Sequence, residues 1–488
     1  MRNAENIIVN ASFNIKGALE ILNTTGLTIL FLVDSNNKLI RTITDGDIRR
    51  LLLDGFSLDD QLENLPPKNY IATDINASPE SVLNLMKLNT IDQIPILNNN
   101  KEPLGLILKS DLEPRIQLSV PHMSGFELGY IEEAFNSNWI APLGPNVDGF
   151  EREFSDYLGG SYCTAVNSGT SAIHLSLLLL GVSSDDIVLC SSFTFVASAN
   201  PILYQNATPV FIDSEPTTWN MSPIALEKAI KSSLKIGKKP KAIIVVHLYG
   251  QSAKLDEILQ ISNLYEIPVI EDSAESLGSL YKGRKTGTMG VFGIFSFNGN
   301  KIITTSGGGM LVSKDKEMIL KAKYLSTQAK DDFEYYEHKE VGYNYRMSNV
   351  LAGIGRGQLK VLDKRVQEKR EIYEYYKNNL NLDCLEWMPE PNEDYSNRWL
   401  SVLRIKSNKT NITASYLIKK LKERNIELRH VWKPMHLQPL FFSSKYFKHT
   451  KNSFCDDLFN TCVCLPSSSS MDQELQKIVI SEILNVFK

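Results

Sequence analysis

Three apolar runs between residues 185 and 278 each end in a polar or glycine-bearing loop. They are DDIVLCSSFTFVAS (185–198), KAIIVVHLYG (241–250) and IPVIEDSAESLG (267–278). The runs have the length of single strands and alternate with helix-like segments, which predicts a mostly parallel α/β sheet. Ligands bind at the carboxyl ends of the strands in such sheets. The polar residues that follow these strands are therefore the first candidates for a functional site.

An internal repeat organises the first part of the chain. Residues 29–48, ILFLVDSNNKLIRTITDGDI, align without a gap with residues 93–112, QIPILNNNKEPLGLILKSDL, and a helix-like segment precedes each half. The pattern predicts two β-α-β-β-α units in tandem. Such a tandem resembles a pair of CBS domains, whose clefts often bind adenine nucleotides.

A Thr-x-x-Asp corner in the first half supports one nucleotide site. The hydroxyl of Thr44 could reach a phosphate, and the carboxylate of Asp47 could accept hydrogen bonds from ribose hydroxyls. Leu108 stands where the second half would need the hydroxyl, so a second site is not expected. The alternative is that the tandem only packs against a neighbour or mediates assembly, and the sequence leaves both interpretations open.

Length and charge limit the possible functions. The chain has 488 residues, 43% of them apolar, which predicts two or three domains, and we expect boundaries at 1–114, 115–365 and 366–488. A net charge of −4 without a basic cluster argues against nucleic acid as a partner. The longest apolar stretch, LSLLLLGV, is too short to span a membrane.

The N-terminal segment and the cysteines indicate the compartment. MRNAENIIVNASFNIKG lacks the basic start and apolar core of a secretory signal. The six cysteines form no CxxC pair, so we expect no metal site and free thiols in a reducing cytoplasm. Cys462 and Cys464 are expected on one face of a strand.

Two polar features become informative when they are taken together. Asn167 to Ser171, NSGTS, directly precede an apolar helix, where free backbone N–H groups and the helix dipole would favour an anion. Asp272 ends the strand IPVIED, where its carboxylate could pair with a protonated pyridine nitrogen. Each feature alone is more simply a helix cap or a loop acceptor.

Lys301 lies in SFNGNKIITTSGGGM, between a polar cluster and three glycines. It could be a surface charge, a phosphate hook or a nucleophile. No GxxxxGK[ST] surrounds it, which disfavours the phosphate hook. A desolvated lysine with a lowered pKa forms a Schiff base, and glycines let a backbone pass close to a cofactor. A nucleophilic lysine is therefore the preferred interpretation.

Seven ordered motifs carry a family resemblance: NSGTSAIHLSL, FTFVASAN, VVHLYGQSAKLDEI, EDSAESLGS, SFNGNKIITTSGGGM, GYNYRMSNVLAGIG and WKPMHLQPLF. From about Ile116 to the C terminus the chain resembles the DegT/DnrJ/EryC1/StrS sugar aminotransferases, and among these the bacillosamine-pathway UDP-4-amino-4,6-dideoxy-N-acetylglucosamine transaminases. The resemblance implies an α/β fold of fold type I, with a mostly parallel large domain and a smaller C-terminal α/β domain after the CBS pair. It also implies pyridoxal 5′-phosphate as cofactor and a homodimer, or a higher homo-oligomer, with shared active sites.

The resemblance also implies roles for individual residues. Lys301 matches the lysine that holds pyridoxal phosphate covalently and then moves protons, and Asp272 matches the partner of the ring nitrogen. The other implied cofactor-binding residues are Gly169, Thr170, Phe195, Glu275, Ser296 and Asn344. Glu275 departs from the commoner Gln or His at its spacing. Asn344 matches an asparagine that reaches the phosphate from the other subunit.

The substrate residues are less specific. Trp432, Lys433 and His436 match a segment that lines the sugar-nucleotide cleft of the family, and Arg398 in SNRWL has the same status. The simpler alternative is that the WKPMHLQPL segment is a surface loop held in place by one aromatic side chain. His247, in an apolar strand, is expected to be a core histidine.

The resemblance implies a ping-pong reaction that moves an amino group from L-glutamate to C4 of a UDP-4-keto-6-deoxy-N-acetylhexosamine. Alternatives are another nucleotide-4-keto-sugar aminotransferase, acting on a different sugar or at C3, and a nucleotide-sensing regulator with an inactive transferase half. A cysteine desulfurase would need a reactive cysteine, and none is evident.

Overall fold

The computed structural model describes residues 2–112 and 115–488. Two compact units are present. Unit 1 comprises residues 1–115 and 423–425, and unit 2 comprises residues 116–422 and 426–488.

Unit 1 contains the two predicted repeats. The first repeat has strands β1 (Ile8–Asn10), β2 (Ile29–Val33) and β3 (Leu39–Thr44) with helices α1 (Ile15–Thr25) and α2 (Asp45–Leu53). The second has β4 (Thr73–Asp74), β5 (Gln93–Leu97) and β6 (Pro103–Leu108) with α3 (Pro79–Leu88) and α4 (Lys109–Leu112). In each sheet the first strand is parallel to the second, and the second is antiparallel to the third. The shared topology confirms the tandem β-α-β-β-α repeat.

Unit 2 is built around an eight-stranded sheet, with strand order β19-β9-β8-β10-β11-β14-β15-β7. Its strands are β7 (Tyr162–Val166), β8 (Ile187–Ser191), β9 (Thr208–Ile212), β10 (Ala242–Val246), β11 (Val269–Asp272), β14 (Phe292–Ser296), β15 (Gly309–Ser313) and β19 (Tyr446–Phe447). A separate hairpin is formed by β12 (Leu280–Tyr281) and β13 (Arg284–Lys285). Only β15 runs against its two neighbours, so the prediction of a mostly parallel sheet is confirmed.

Helices connect and cover these strands. They are α5 (Phe126–Asn136), α6 (Pro145–Tyr157), α7 (Gly169–Leu179), α8 (Asn200–Tyr204), α9 (Pro223–Lys235), α10 (Leu255–Tyr265), α11 (Lys316–Ser326), α12 (Asn349–Leu359) and α13 (Leu362–Asn379). The predicted boundary between residues 365 and 366 falls inside α13.

Successive residues of the central strands belong to different cores. Ile187 and Leu189 of β8 pack into one apolar cluster, whereas Val188 and Cys190 pack into another on the opposite face. Side chains alternate between the two faces of a strand, so the sheet is buried on both sides, as expected when helices cover a parallel sheet. In β8 the hydroxyl residue Ser191 stands at the carboxyl end of the strand, and β10 is apolar throughout.

The C-terminal part carries an antiparallel sheet of order β16-β17-β20-β18. Its elements are β16 (Leu385–Trp387), β17 (Ser401–Ile405), β18 (Arg429–His430) and β20 (Cys462–Leu465), with α14 (Ala414–Lys422), α15 (Phe454–Thr461) and α16 (Gln473–Phe487). Cys462 and Cys464 of β20 are buried in the same apolar cluster, which confirms that they share one face. Within the described ranges, no helix combines the length and apolarity that crossing a membrane requires.

Candidate active site

A cavity of about 380 Å³ opens at the carboxyl ends of the central strands of unit 2. Residues from several loops line it: Asn167, Ser168, Gly169, Thr170, Ile173, Thr194, Phe195, Ala197, Ser198, Val246, Asp272, Ala274, Glu275, Ser296, Asn298, Asn300, Lys301, Gly307, Gly308, Trp399 and Trp432. The position is the one expected for a ligand site in a parallel α/β sheet.

The N-terminus of α7 forms one end of the cavity. Ser168 caps the helix by accepting a hydrogen bond from the Ser171 N–H at 3.1 Å. At Gly169 a Cβ would lie 3.1 Å from the Cβ of Ser296, so a glycine keeps the helix close to β14. Across the described ranges, the hydroxyls of Thr170 and Ser296 make no hydrogen bond. Free hydroxyls beside a helix N-terminus suit a phosphate.

Asp272 ends β11 inside the cavity and is buried. Its Oδ2 accepts a hydrogen bond from the Ser198 hydroxyl at 2.6 Å, and its Oδ1 accepts the Ala274 N–H at 3.2 Å. Both donors hold the carboxylate in place, and its remaining lone pairs can accept an N–H or pair with a cation.

Lys301 lies in the connection between β14 and β15, where its N–H closes a turn onto the carbonyl of Asn298 at 2.9 Å. Its Nζ is 3.9 Å from Oε1 of Glu275 and 4.2 Å from the ring centroid of Trp399. Burial lowers the pKa of Lys301, and the negative charges of Glu275 and Asp272 oppose part of that effect. A lysine with a lowered pKa is more often neutral, and the neutral amine is the nucleophile.

Glu275 joins Lys301 to two other segments of the site. Its Oε2 accepts the Tyr249 N–H at 2.7 Å, and its Oε1 accepts the indole N–H of Trp432 at 2.9 Å. Burial raises the pKa of Glu275, while the nearby Lys301 lowers it. The carboxyl group therefore sits at the junction of the lysine and the loop that carries Trp432.

Aromatic rings form one wall of the cavity. Phe195 and Trp432 have centroids 5.1 Å apart, and the ring of Tyr249 stacks with Trp399 and with Trp432 at 6.0 and 6.1 Å. The Tyr249 hydroxyl also accepts a hydrogen bond from the backbone N–H of Trp432 at 2.8 Å. These contacts fix flat apolar surfaces on which a planar or sugar ring could stack.

The structure brings eight of the predicted site residues of unit 2 together in the cavity, namely Gly169, Thr170, Phe195, Asp272, Glu275, Ser296, Lys301 and Trp432. Four others do not line it: Asn344, Arg398, Lys433 and His436.

These four residues lie beside the site. Asn344 is exposed, and its carbonyl accepts the Asn167 side-chain N–H at 3.3 Å. Lys433 is partly buried next to Trp432, and its carbonyl accepts the Gln438 side chain at 3.3 Å. For Asn344 and Lys433 the implied binding roles stay predictions.

His436 and Arg398 are engaged within the protein. The ring of His436 bonds Ser192 through Nδ1 at 2.7 Å and Asp456 through Nε2 at 2.8 Å. Arg398 donates to the Met388 carbonyl at 3.0 Å and to Glu390 at 2.8 Å. Their implied substrate roles also stay predictions, and in this conformation both residues position the protein's own segments.

His247 is a core histidine, as predicted. It is fully buried, its Nδ1 accepts the Ala253 N–H at 3.1 Å, and its Nε2 is 3.0 Å from Glu271. Because Nδ1 accepts, Nε2 carries the proton and donates to the carboxylate.

Sequence reasoning missed Trp399 and Ser198. Trp399 stands directly after Arg398 in the motif SNRWLS, so the motif indicated this segment but not which of the two neighbours faces the cavity. Ser198 follows Phe195 by three residues, and a 3₁₀ turn at Val196–Ser198 carries its hydroxyl to Asp272. A polar residue one turn after a strand-end aromatic residue was the available signal.

Unit 1 contains its own cavity, of about 330 Å³. Residues of both repeats line it, including Thr44, Lys68, Tyr70 and Asp92. Asp47 is buried behind this lining, where it accepts the Thr44 N–H at 3.0 Å, the Thr44 hydroxyl at 2.9 Å and the Lys68 ammonium at 2.6 Å. These donors and Arg50 lower the pKa of Asp47 to about 2, against the effect of burial.

The predicted corner is thus present as a helix cap. Thr44 and Asp47 form a capping box at the start of α2, and the Thr44 hydroxyl donates to Asp47. A nucleotide could contact Thr44 and Lys68 directly, but Asp47 would have to release a donor before it could accept a ribose hydroxyl.

Comparison with known families decides the class of unit 2. The sequence profile of the DegT/DnrJ/EryC1/StrS aminotransferase family matches residues 121–484, and that of the CBS domain matches residues 62–115. The chain belongs to the DegT/DnrJ/EryC1/StrS aminotransferase family. It is a pyridoxal phosphate-dependent enzyme with a CBS domain, which confirms the predicted family, fold and cofactor.

Individual proteins with similar sequences agree with this assignment. EpsN of Bacillus subtilis (strain 168), named as a pyridoxal phosphate-dependent aminotransferase, is 54% identical over 378 residues, which are 77% of this chain and 97% of EpsN. GDP-perosamine synthase of Escherichia coli O157:H7 is 38% identical over 75% of this chain and 97% of its own. UDP-4-amino-4,6-dideoxy-N-acetyl-beta-L-altrosamine transaminase of Campylobacter jejuni subsp. jejuni serotype O:23/36 (strain 81-176) is 31% identical over 71% of this chain and 90% of its own.

A solved structure extends the agreement to the fold. Spr1654 from Streptococcus pneumoniae, named as a sugar aminotransferase and crystallised in a PLP form, superposes with a TM-score of 0.69. The match covers 76% of this chain and 98% of Spr1654 at 25% identity. The DegT/DnrJ/EryC1/StrS enzyme described here therefore shares this fold.

The residues of the cavity fit pyridoxal phosphate. Two hydroxyls that make no hydrogen bond in the described part of the chain stand with a helix N-terminus at one end, and the buried carboxylate of Asp272 and the largely buried Lys301 stand in the same cavity. The close approach at Gly169 supports the fit, because a Cβ there would press against Ser296, whose hydroxyl stands at this end of the cavity.

Proposed function

We propose that this enzyme transfers an amino group from L-glutamate to C4 of a UDP-4-keto-6-deoxy-N-acetylhexosamine and so forms a UDP-4-amino-4,6-dideoxy sugar for glycan biosynthesis of the bacillosamine type. One observation carries the transferase chemistry: the largely buried amine of Lys301 and the carboxylate of Asp272 line one cavity with the N-terminus of α7. When bound, pyridoxal phosphate supplies an electron sink for carbanions next to an imine nitrogen.

The cofactor-binding roles follow from the polarity of each wall. The hydroxyls of Thr170 and Ser296 and the free N–H groups of α7 would bind the phosphate. Asp272 would accept the ring N–H and keep the ring cationic, and Phe195 would cover one face of the ring. Lys301 would hold the cofactor covalently.

Lys301 would also act as the general acid and base. Its pKa is lowered by burial, which favours the neutral amine that can take a proton from the α-carbon of the donor. The same group would later deliver a proton to C4 of the sugar. Glu275, 3.9 Å away, would keep the ammonium in place after the proton is taken.

Binding of the sugar nucleotide is assigned to the aromatic wall and its loop. Trp432 lines the cavity, and Lys433 follows it in a segment that could meet a diphosphate. The Campylobacter relative, named for a UDP-linked 4-amino sugar, supports the UDP substrate, whereas the Escherichia relative, named for GDP-perosamine, supports a GDP-linked sugar as the alternative.

A second copy of the chain is proposed to complete the site. Within the described ranges, Lys301 is the only Lys or Arg side chain that lines the cavity, where two carboxylates also stand. The donor and the sugar nucleotide are both anionic, so further cations or N–H donors are needed. Asn344 is exposed beside this edge and would reach the phosphate of the other subunit in a homodimer.

Unit 1 is proposed to bind an adenine nucleotide and to modulate the transferase. Its cavity lies between the two repeats, and Lys68 is a cation in the lining that a phosphate could pair with. The hydroxyls of Thr28, Thr42 and Thr90 in the same lining could bind ribose or base.

Product analysis tests the substrate assignment. The holoenzyme is incubated with ¹⁵N-labelled L-glutamate and either UDP-4-keto-6-deoxy-N-acetylglucosamine or the GDP-linked 4-keto-6-deoxyhexose. We expect ¹⁵N at C4 of the UDP sugar by NMR and mass spectrometry. Amination of only the GDP sugar would move the assignment to the alternative. If neither sugar is labelled and L-glutamate also fails to bleach the visible band of the holoenzyme, the result would support a regulator with an inactive transferase half.

A further inference from the structure

A chain of two buried hydroxyls leads to Asp272. Ser198 Oγ lies 2.6 Å from Asp272 Oδ2, and Thr194 Oγ1 lies 2.8 Å from Ser198 Oγ. The side chains of all three residues are buried, with residue exposures of 1% for Ser198, 2% for Thr194 and 5% for Asp272. We infer that Ser198 is a positioning residue that orients the carboxylate of Asp272 toward the ring nitrogen of the cofactor, with Thr194 as its support.

The direction of both hydrogen bonds follows from the acceptor at the end of the chain. An ionised carboxylate only accepts, so the Ser198 hydroxyl must donate to Asp272. The proton of Ser198 is then used, and the Thr194 hydroxyl must donate to Ser198. Each donated hydrogen bond polarises the next one, so both hydroxyl hydrogens point along the line toward the carboxylate.

The local backbone makes this arrangement specific. Ser198 is the last residue of the 3₁₀ turn at Val196–Ser198, Thr194 lies two residues before the turn, and the Ser198 N–H donates to the Phe195 carbonyl at 3.1 Å. The same turn therefore places Phe195 in the cavity and the Ser198 hydroxyl against Asp272. One short segment would thus position both the residue proposed to stack on the ring and the carboxylate proposed to accept the ring N–H.

The hydrogen bond from Ser198 uses Oδ2 of Asp272 and leaves the second oxygen, Oδ1, available. Among the described residues, Oδ1 of Asp272 accepts only the Ala274 N–H, at 3.2 Å. Oδ1 has a further lone pair for the N–H of a protonated ring. The role of Ser198 rests on the proposed role of Asp272, and the experiment distinguishes failure of one role from failure of the other.

The pH dependence of the visible absorption band of the holoenzyme reports on this charge. A less stable carboxylate leaves the ring nitrogen less protonated, and the Lys301–cofactor linkage then binds its proton more readily. For Ser198→Ala we expect the midpoint of the band to rise by about half a pH unit to one unit. Thr194→Val should shift it in the same direction by less, and Ser198→Thr, which keeps a hydroxyl, should restore the wild-type midpoint.

Ser273 offers a matched control. It follows Asp272 directly, is fully buried, and its hydroxyl has no hydrogen-bond partner in the described part of the chain. Ser273→Ala removes the same atoms next to the same carboxylate without removing a bond. We expect its midpoint to equal that of the wild type.

The outcomes separate the two claims. An unshifted midpoint for Ser198→Ala, with a clear shift for Asp272→Asn, would overturn the role of Ser198 and leave that of Asp272 intact. An unshifted midpoint for Asp272→Asn would instead overturn the proposed role of Asp272. If Ser198→Ala loses the cofactor altogether, Thr194→Val decides, because its lack of any shift would contradict the hydroxyl chain.

Discussion

The Nζ of Lys301 lies 3.9 Å from Oε1 of Glu275, and that same oxygen accepts the indole N–H of Trp432 at 2.9 Å. The group that would carry the chemistry is thus coupled through one carboxylate to the loop that would carry the substrate. Because both Lys301 and Glu275 are largely buried, little water screens the charge of one from the other.

Lys301→Ala should abolish the visible absorption band of the holoenzyme. It removes the only lysine in the cavity lining within the described ranges, and with it the general acid and base, so activity should fall by at least about 10²–10⁴-fold. Spectra and initial rates check this. Lys285→Ala is the control, because this partly buried lysine bonds the Tyr157 carbonyl outside the cavity. Retention of the band in Lys301→Ala would exclude the covalent role.

Glu275→Gln should move the acid limb of the kcat profile to lower pH. The negative charge of Glu275 raises the pKa of Lys301, so its neutralisation lowers that pKa, and the neutral amine persists in more acidic solution. We expect a displacement of about half a pH unit to one unit, measured from kcat between pH 5.5 and 9. Glu266→Gln, at an exposed site, should leave the limb unchanged. A limb displaced to higher pH would contradict the coupling.

Lys369→Met should destabilise unit 2 more strongly as the pH rises. Lys369 is buried, donates to the carbonyls of Trp399 and Ser467 at 3.0 and 2.7 Å, and has a pKa lowered by burial to about 7. Between about pH 7 and 10.5 Lys369 is protonated in the unfolded chain but neutral in the folded protein. The free energy of unfolding of the wild type therefore rises with pH in this range, by up to about 1.4 kcal/mol per pH unit from this group.

Urea unfolding at pH 6.5 and pH 9 measures the difference. Lys369→Met leaves two carbonyls unpaired, which costs about 1–3 kcal/mol each. At pH 9 this loss is not offset, because Lys369 of the folded wild type is mostly neutral there and no buried charge destabilises the wild type. The exposed Lys364 on the same helix gives the control Lys364→Met, which should cost little at either pH. An equal destabilisation by Lys369→Met at both pH values would show that the buried amine does not titrate in this range.

Lys68→Ala should weaken adenine nucleotide binding to the full-length protein. Lys68 lines the cavity of unit 1 and holds Asp47 at 2.6 Å, so its loss removes the cation that would meet a phosphate. We expect affinity to fall by about tenfold, in line with one charge-assisted hydrogen bond, measured by isothermal titration calorimetry with AMP and ATP. Lys38→Ala, exposed and outside the cavity, is the control. Unchanged affinity in both Lys68→Ala and Asp47→Ala would place the ligand elsewhere.

The parts of the site that follow strands could be predicted from the sequence. Asp272 ends a strand, and Lys301 lies in the loop after another, so the parallel topology alone brings them to one edge of the sheet. The buried core of each central strand was equally readable, because continuous apolar runs indicate burial on both faces.

Trp399 could not be predicted in the same way, because tertiary contacts place it. Asn397 donates to the carbonyls of Glu275 and Leu277 at 3.0 and 2.8 Å and accepts the Trp399 N–H at 2.8 Å. The backbone at Arg398 has φ of +50°, a left-handed turn that puts the arginine against Glu390 and the indole into the cavity. Adjacent residues thus have different environments, which no local pattern reports.

The visible spectrum of the holoenzyme, recorded while the amino donor and then the keto sugar are added, tests the proposed reaction most directly. L-glutamate should bleach the band, and UDP-4-keto-6-deoxy-N-acetylglucosamine, added after the glutamate is removed, should restore it with formation of the amino sugar. This result would establish both half-reactions and the substrate class together. A band that glutamate bleaches but this sugar does not restore would contradict the substrate assignment, and a protein that shows no band when supplied with pyridoxal phosphate would contradict the role of Lys301.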